Sequence, residues 1–117
     1  MLRRDLKTAT TTIGRRIREA RVRACITQEA LGVAIGLDEE VAGIRISRYE
    51  SGVHAPSVQL IQSLAEALLV PPAYLVTEEN PIARIVLGLN KLNLSQLSRV
   101  ENLIDDLLDP ENLDQEN

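Results

Sequence analysis

The chain has 117 residues, 13 Lys/Arg against 17 Asp/Glu for a formal charge of −4, and no Phe or Trp. That length holds one domain, or one domain and a tail, and leaves no room for a second enzyme-sized domain. The single cysteine excludes an internal disulfide and a thiolate zinc cluster. With 44% hydrophobic residues and only Tyr49 and Tyr74 as aromatics, the core must be built from Leu, Ile, Val and Ala, which favours packed helices over sheets. No apolar run approaches the ~20 residues of a membrane span, and the start of the chain lacks a signal-peptide core. A soluble, cytoplasmic protein with no membrane contact is expected.

Charge is unevenly placed. Residues 1–54 hold ten Lys/Arg against seven Asp/Glu, whereas residues 55–117 hold three against ten. Such polarity suits one end that faces nucleic acid and an acidic end kept away from phosphates.

In chain order, residues 1–11 read as a flexible arm with Arg3, Arg4 and Lys7. Thr10 to Thr12 offer N-caps for a first helix through Ala24, with Ile13, Ile17, Ala20 and Ala24 on its inner face and Arg15, Arg16, Arg18 and Arg23 mostly off it. Arg21 lies close to that apolar face and so needs a partner. Cys25, between Ala24 and Ile26, reads as a buried spectator.

Thr27 is an N-cap for a second helix, with Glu29 at the positive end of its dipole. Leu31, Ala34 and Ile35 form its narrow apolar stripe, and Gly36 is placed to end it. A third helical pattern runs to Tyr49 and Glu50 and stops at Gly52, with Val41, Ile44 and Ile46 as candidate buried residues and Arg45, Ser47 and Arg48 outward. Two short helices joined by a tight turn cannot bury themselves and require flanking helices as a base.

His54 and Pro56 fall in a loop, and the lone histidine has no metal-ligand companions. Ser57 caps a fourth helix over Val58–Val70, whose apolar face is Leu60, Ile61, Leu64, Ala65, Leu68 and Leu69. Pro71 and Pro72 end it, and a short fifth helix follows, with Tyr74 and Leu75 closing the core. Glu78 to Pro81 is a polar break, which sets a domain boundary at residue 78. Beyond it come two amphipathic helices, with Ile82, Ile85, Val86 and Leu89 on the first and Leu97, Val100, Ile104, Leu107 and Leu108 on the second. Residues 109–117 read as a disordered acidic tail.

The stretch Thr27–Gly52 resembles the helix-turn-helix of the lambda repressor and Cro (XRE-type) family. The resemblance rests on T-Q-E-x-L at Thr27, a small residue at Gly32 where the helices touch, a turn glycine at Gly36 and I-S-R-Y-E-x-G at Ile46–Gly52. It extends over Thr12–Val76 and implies an all-α fold, a five-helix repressor-like domain over 12–77 followed by the amphipathic helices of 78–108. Where the family has about six steps from the turn glycine to the isoleucine, Gly36 to Ile46 is ten, an insertion of about one helical turn. Either the third helix is longer and starts with Asp38 as N-cap, or Asp38–Val41 is an extended turn before a helix of ordinary length.

The resemblance also implies roles. Arg21 pairs with Glu50 as a structural tie, Thr27, Gln28 and Ser51 meet phosphates, and Gly43, Ile44, Arg45, Ser47 and Arg48 lie where the family faces base edges of double-stranded DNA. Arg48 is the foremost base-contact candidate, since its fork matches two guanine acceptors. Asp38, Glu39 and Glu40 are awkward neighbours for DNA and are expected to face outward or cap the helix; were they to face the DNA directly, the motif would have lost its binding role. The expected function is a sequence-specific transcriptional regulator, a dimeric repressor with 78–108 as the dimerisation segment. The alternative is an antitoxin-like module whose C-terminal helices bind a partner protein. With one His, one Cys and no nucleophile motif, metal cluster or phosphate loop, neither an enzyme nor a cofactor is expected.

Overall fold

The computed structural model describes residues 11–112, so the basic arm of residues 1–10 and the end of the acidic tail lie outside the described residues. Among them are seven helices and no strand: α1 Thr12–Arg23, α2 Gln28–Ala34, α3 Glu39–Ser51, α4 Val58–Leu68, α5 Pro72–Val76, α6 Asn80–Leu89 and α7 Leu94–Leu108. A further helical turn begins at Pro110, within the stretch read from sequence as tail. The chain forms two compact units that divide between Leu87 and Gly88.

In the first unit α1 to α5 surround a core made chiefly of Ile17, Leu31, Ile46, Leu64 and Leu75, all fully buried, with the ring of Tyr74 beside them. Side-chain caps set three of the helix starts. Thr11 Oγ1 accepts from the Gly14 amide at 3.0 Å, Thr27 Oγ1 from Ala30 at 3.0 Å and Ser57 Oγ from Leu60 at 3.2 Å. The left-handed residues Cys25 and Leu69 turn the chain at the ends of α1 and α4, so that the following amides, Ile26 and Val70, bond back to the carbonyls of Arg21 and Ala65. This geometry overturns two expectations. Cys25 is exposed rather than buried, and Leu69 is 86% exposed rather than part of the apolar face. In each case the turn sends that side chain outward and hands the apolar position to the next residue, Ile26 or Val70, which packs on the core.

Arg16 also departs from expectation. It is only 3% exposed, and its guanidinium donates to the carbonyls of Thr77 (2.9 Å) and Glu78 (2.8 Å), to Asn80 Oδ1 (3.0 Å) and to Glu19 Oε1 (2.8 Å). Arg15 adds bonds to Asn80 Oδ1 at 2.9 Å and the Glu78 carbonyl at 3.1 Å. A cation can be buried here because the carbonyls of Thr77 and Glu78, in the segment between α5 and α6, together with Asn80 Oδ1 and the Glu19 carboxylate, give its donors acceptors in place of water. Tyr74 completes the network, accepting from Arg23 at 3.1 Å and donating to Glu19 at 3.2 Å, with the Arg16 guanidinium 5.5 Å from its ring centroid.

That network lies within the first unit, which extends to Leu87. The polar break is held against α1 through its carbonyls, and α6 then lays Ala83, Val86 and Leu87 on the first unit's core. Ile82 and Ile85, expected on a single stripe with Val86, are exposed instead. In the second unit α7 starts with a reciprocal capping box, Asn93 Oδ1 accepting from the Gln96 amide at 2.8 Å and Gln96 Oε1 from the Asn93 amide at 3.0 Å. None of the residues of α7 is buried, and Leu103, Ile104, Leu107 and Leu108 are exposed.

Candidate nucleic-acid interface

α2 and α3 are brought to a fixed crossing by two glycines. At Gly32 an added Cβ would lie 2.5 Å from the Cβ of Ala42 and 2.7 Å from its carbonyl oxygen, so only hydrogen at this position lets the helices approach so closely. Gly36, at a φ of +93°, turns the chain out of α2. Its amide bonds to the Val33 carbonyl and the Leu37 amide to the Gly32 carbonyl, both at 3.0 Å, so the carbonyls left at the end of α2 are satisfied within the turn.

α3 then begins at Glu39 with Asp38 as the preceding cap residue, so the four inserted positions are resolved as a longer helix. Asp38 makes no side-chain cap bond and, with Glu39 and Glu40, is exposed. The inserted turn sets the register. Ala42, Ile46, Tyr49 and Glu50 are buried, at i, i+4, i+7 and i+8, whereas Glu40, Ile44, Ser47, Arg48 and Ser51 form the opposite, exposed line. Val41 and Ile44, expected to be buried, are therefore exposed, Ile44 by 54% at the centre of the outer face. Ala42 occupies the inner position, where the contact with Gly32 leaves space for nothing larger.

The C-terminal end of α3 is clamped by charge. Arg21 Nε donates to Glu50 Oε2 at 2.5 Å and Arg21 Nη2 to Glu50 Oε1 at 3.1 Å, while Arg21 Nη1 holds the Ile26 carbonyl at 2.9 Å. Gln28 Nε2 donates to the same carboxylate at 3.1 Å, which joins α1, the start of α2 and the end of α3 through one buried group. A fork-to-fork pair in this setting fixes orientation as well as proximity.

The other residues singled out in the sequence fall into three groups. Ile44, Ser47, Arg48 and Ser51 share the outer face of α3, with Ser51 Oγ bonded to the Arg48 carbonyl at 3.2 Å. Arg45 and Gly43 flank it, half-buried. Arg45 lies back along the helix, donating to Tyr49 Oη at 2.9 Å with its guanidinium 5.8 Å from the ring centroid, and an added Cβ at Gly43 would be 3.7 Å from Glu29, an ordinary contact. Thr27 and Gln28 stand apart at the start of α2, where the Thr27 hydroxyl caps the helix and the Gln28 amide is engaged with Glu50. Glu40, expected from the sequence to face outward or cap the helix, stands on the same outer face as Ile44 and Ser47, a place that follows only once the start of α3 is known. Among the described residues no cluster of three or more His, Cys, Asp or Glu could hold a metal ion, and no helix is long and apolar enough to cross a membrane.

Comparison with known proteins agrees with this geometry. A family model described as helix-turn-helix matches residues 17–75, half of the chain. Among solved structures, the crystal structure of the transcriptional regulator BswR is similar, with 35% identity and a TM-score of 0.76 over 81% of this chain and 94% of that one. No curated protein sequence matches the chain.

Proposed function

We propose, from the premise that this chain belongs to the helix-turn-helix family of the lambda repressor and Cro (XRE) type, that it is a DNA-binding transcriptional regulator acting as a dimeric repressor. The observation that carries the reading is the two-faced α3. One line of residues is locked into the core by Ala42, Ile46, Tyr49 and the Glu50 clamp, and the opposite line is presented to solvent on a rigid helix. A helix of this width enters the major groove, where each base pair displays its own donor and acceptor pattern. Arg48 forks onto the two acceptors of guanine, Ile44 packs on a thymine methyl and Ser47 hydrogen-bonds beside them. Arg45 and Gly43 flank the groove, the latter at a position facing base edges but with no side chain to offer. Thr27, Gln28 and Ser51 meet phosphates on either side and fix the register. Arg21 and Glu50 hold the reader in place and touch no base.

Helix-turn-helix readers bind paired half-sites as twofold dimers. The apolar line of α7, none of whose residues is fully buried and whose Leu103, Ile104, Leu107 and Leu108 are exposed, supports association through residues 78–108, with Ile82 and Ile85 of α6 adding further exposed apolar surface. The same line would equally cover a partner protein, as in an antitoxin-like module, and the oligomeric state of the purified chain separates the two.

The test is a binding titration by anisotropy on the DNA flanking the gene, as a salt series, with wild type and Arg48→Ala in parallel. Tight binding to one site that weakens steeply with salt is expected. Arg48→Ala should lose about 1–3 kcal/mol and relax the preference at one base pair. Folded protein that binds no DNA at low salt refutes the reading and leaves the partner-binding module.

A further inference from the structure

We infer that Glu40, on the extra first turn of α3, is a specificity-determining residue that accepts a hydrogen bond from the exocyclic amine of a cytosine in the major groove. The inference rests on the reading of α3 as the recognition helix.

Three observations lead to Glu40 rather than to the acidic run as a whole. The inserted turn is helical from Glu39, so its side chains follow the register of the rest of α3. In that register Glu39 falls in line with Ile46 and Glu50 on the inner side, at i, i+7 and i+11, whereas Glu40 falls in line with Ile44, Ser47 and Ser51 on the outer side. Finally, Glu40 makes no side-chain hydrogen bond or ion pair among the described residues, in contrast to Arg45, which is folded back on Tyr49. The outer face thus carries a solvated carboxylate at the end of the helix whose residues enter the groove first.

The chemistry of that group narrows the target. An ionised carboxylate only accepts hydrogen bonds, and the major-groove donors are the amines of cytosine and adenine. Adenine sets its N7 acceptor beside the amine, which repels a carboxylate, whereas cytosine presents the amine without an acceptor on the same base. Phosphate repulsion penalises Glu40 on every sequence, and only a site that supplies the amine offsets it, so the residue discriminates by excluding wrong sites as well as by favouring the right one. Ile44 lies four positions beyond Glu40, about 6 Å along the helix axis, which spaces the cytosine roughly two base steps from the thymine read by Ile44.

The experiment is selection from a random duplex library with the full chain, wild type and Glu40→Gln, followed by anisotropy on the selected duplexes. Wild type should select a cytosine whose replacement weakens binding about tenfold. Glu40→Gln should retain the preference at the other positions and shift this one toward adenine, because a glutamine amide matches the adenine amine and N7 together. It should also bind unrelated duplex more tightly than wild type, having lost one negative charge. If Glu40→Gln selects the same cytosine as strongly as wild type, the assignment to Glu40 is wrong while the reading of α3 stands. If folded wild type, checked by circular dichroism, selects no consensus, both fail.

Discussion

α3 and α7 are both amphipathic helices with clear starting signals, yet they end in opposite circumstances. α3 buries four residues and is tied by an ion pair to a helix far away in sequence, whereas α7 has the better local cap and no fully buried residue. A helix held on one face by a core is a rigid platform for its other face. A helix with an uncovered apolar line is an element waiting for a partner, since short helices draw most of their stability from packing. The contrast is what supports the proposal that α3 reads DNA and α7 serves assembly.

The sharpest way to break the first half of that contrast is Arg21→Ala. It removes the counter-charge from a buried carboxylate at the end of α3 and should cost ~3 kcal/mol or more. Thermal unfolding would report this as a large fall in Tm, and an unchanged Tm would show that the pair does not hold the platform. Gly32→Ala is next, because its Cβ would overlap Ala42. Forcing the helices apart should cost about 1–3 kcal/mol, with DNA binding lost in proportion as α3 is displaced. A variant that keeps wild-type stability would mean the crossing can relax.

The second half is tested at the exposed line of α7. Leu103→Lys with Leu107→Lys should convert a dimer to a monomer in light scattering while leaving the melting of the first unit unchanged. If the double variant associates as wild type does, α7 is not the assembly surface. The smallest expected effect sharpens the picture of α1. Cys25→Gly removes a side chain from a left-handed position and should stabilise the fold by about 1 kcal/mol in chemical denaturation. No gain would mean that the cysteine side chain has a compensating contact in solution.

Elements marked by local chemistry were legible in the chain. Thr27, Gly36, Ser57 and the Pro71-Pro72 pair announce helix limits because caps and stops act within a few residues of themselves. The helix-turn-helix and the approach of Arg21 to Glu50 were likewise accessible through the motif. Burial on α3 was not, since Val41, Ala42, Ile44 and Ile46 offer more than one apolar register and the insertion hides where the helix begins. Arg16 gave no signal either. Two of its four partners are backbone carbonyls more than sixty residues away, and a carbonyl has no letter in a sequence.

The all-helical class, the paired short helices with their turn and the residue types available to a reader are written in the chain, because each depends on short-range propensity and spacing. Which face of α3 is outward, that Glu40 joins that face, and that α6 begins on the first unit's core while α7 has no fully buried residue emerge from the folded packing alone. Those outcomes turn on close approaches such as Gly32 to Ala42 and on hydrogen bonds to distant carbonyls, and both exist only after the chain has folded.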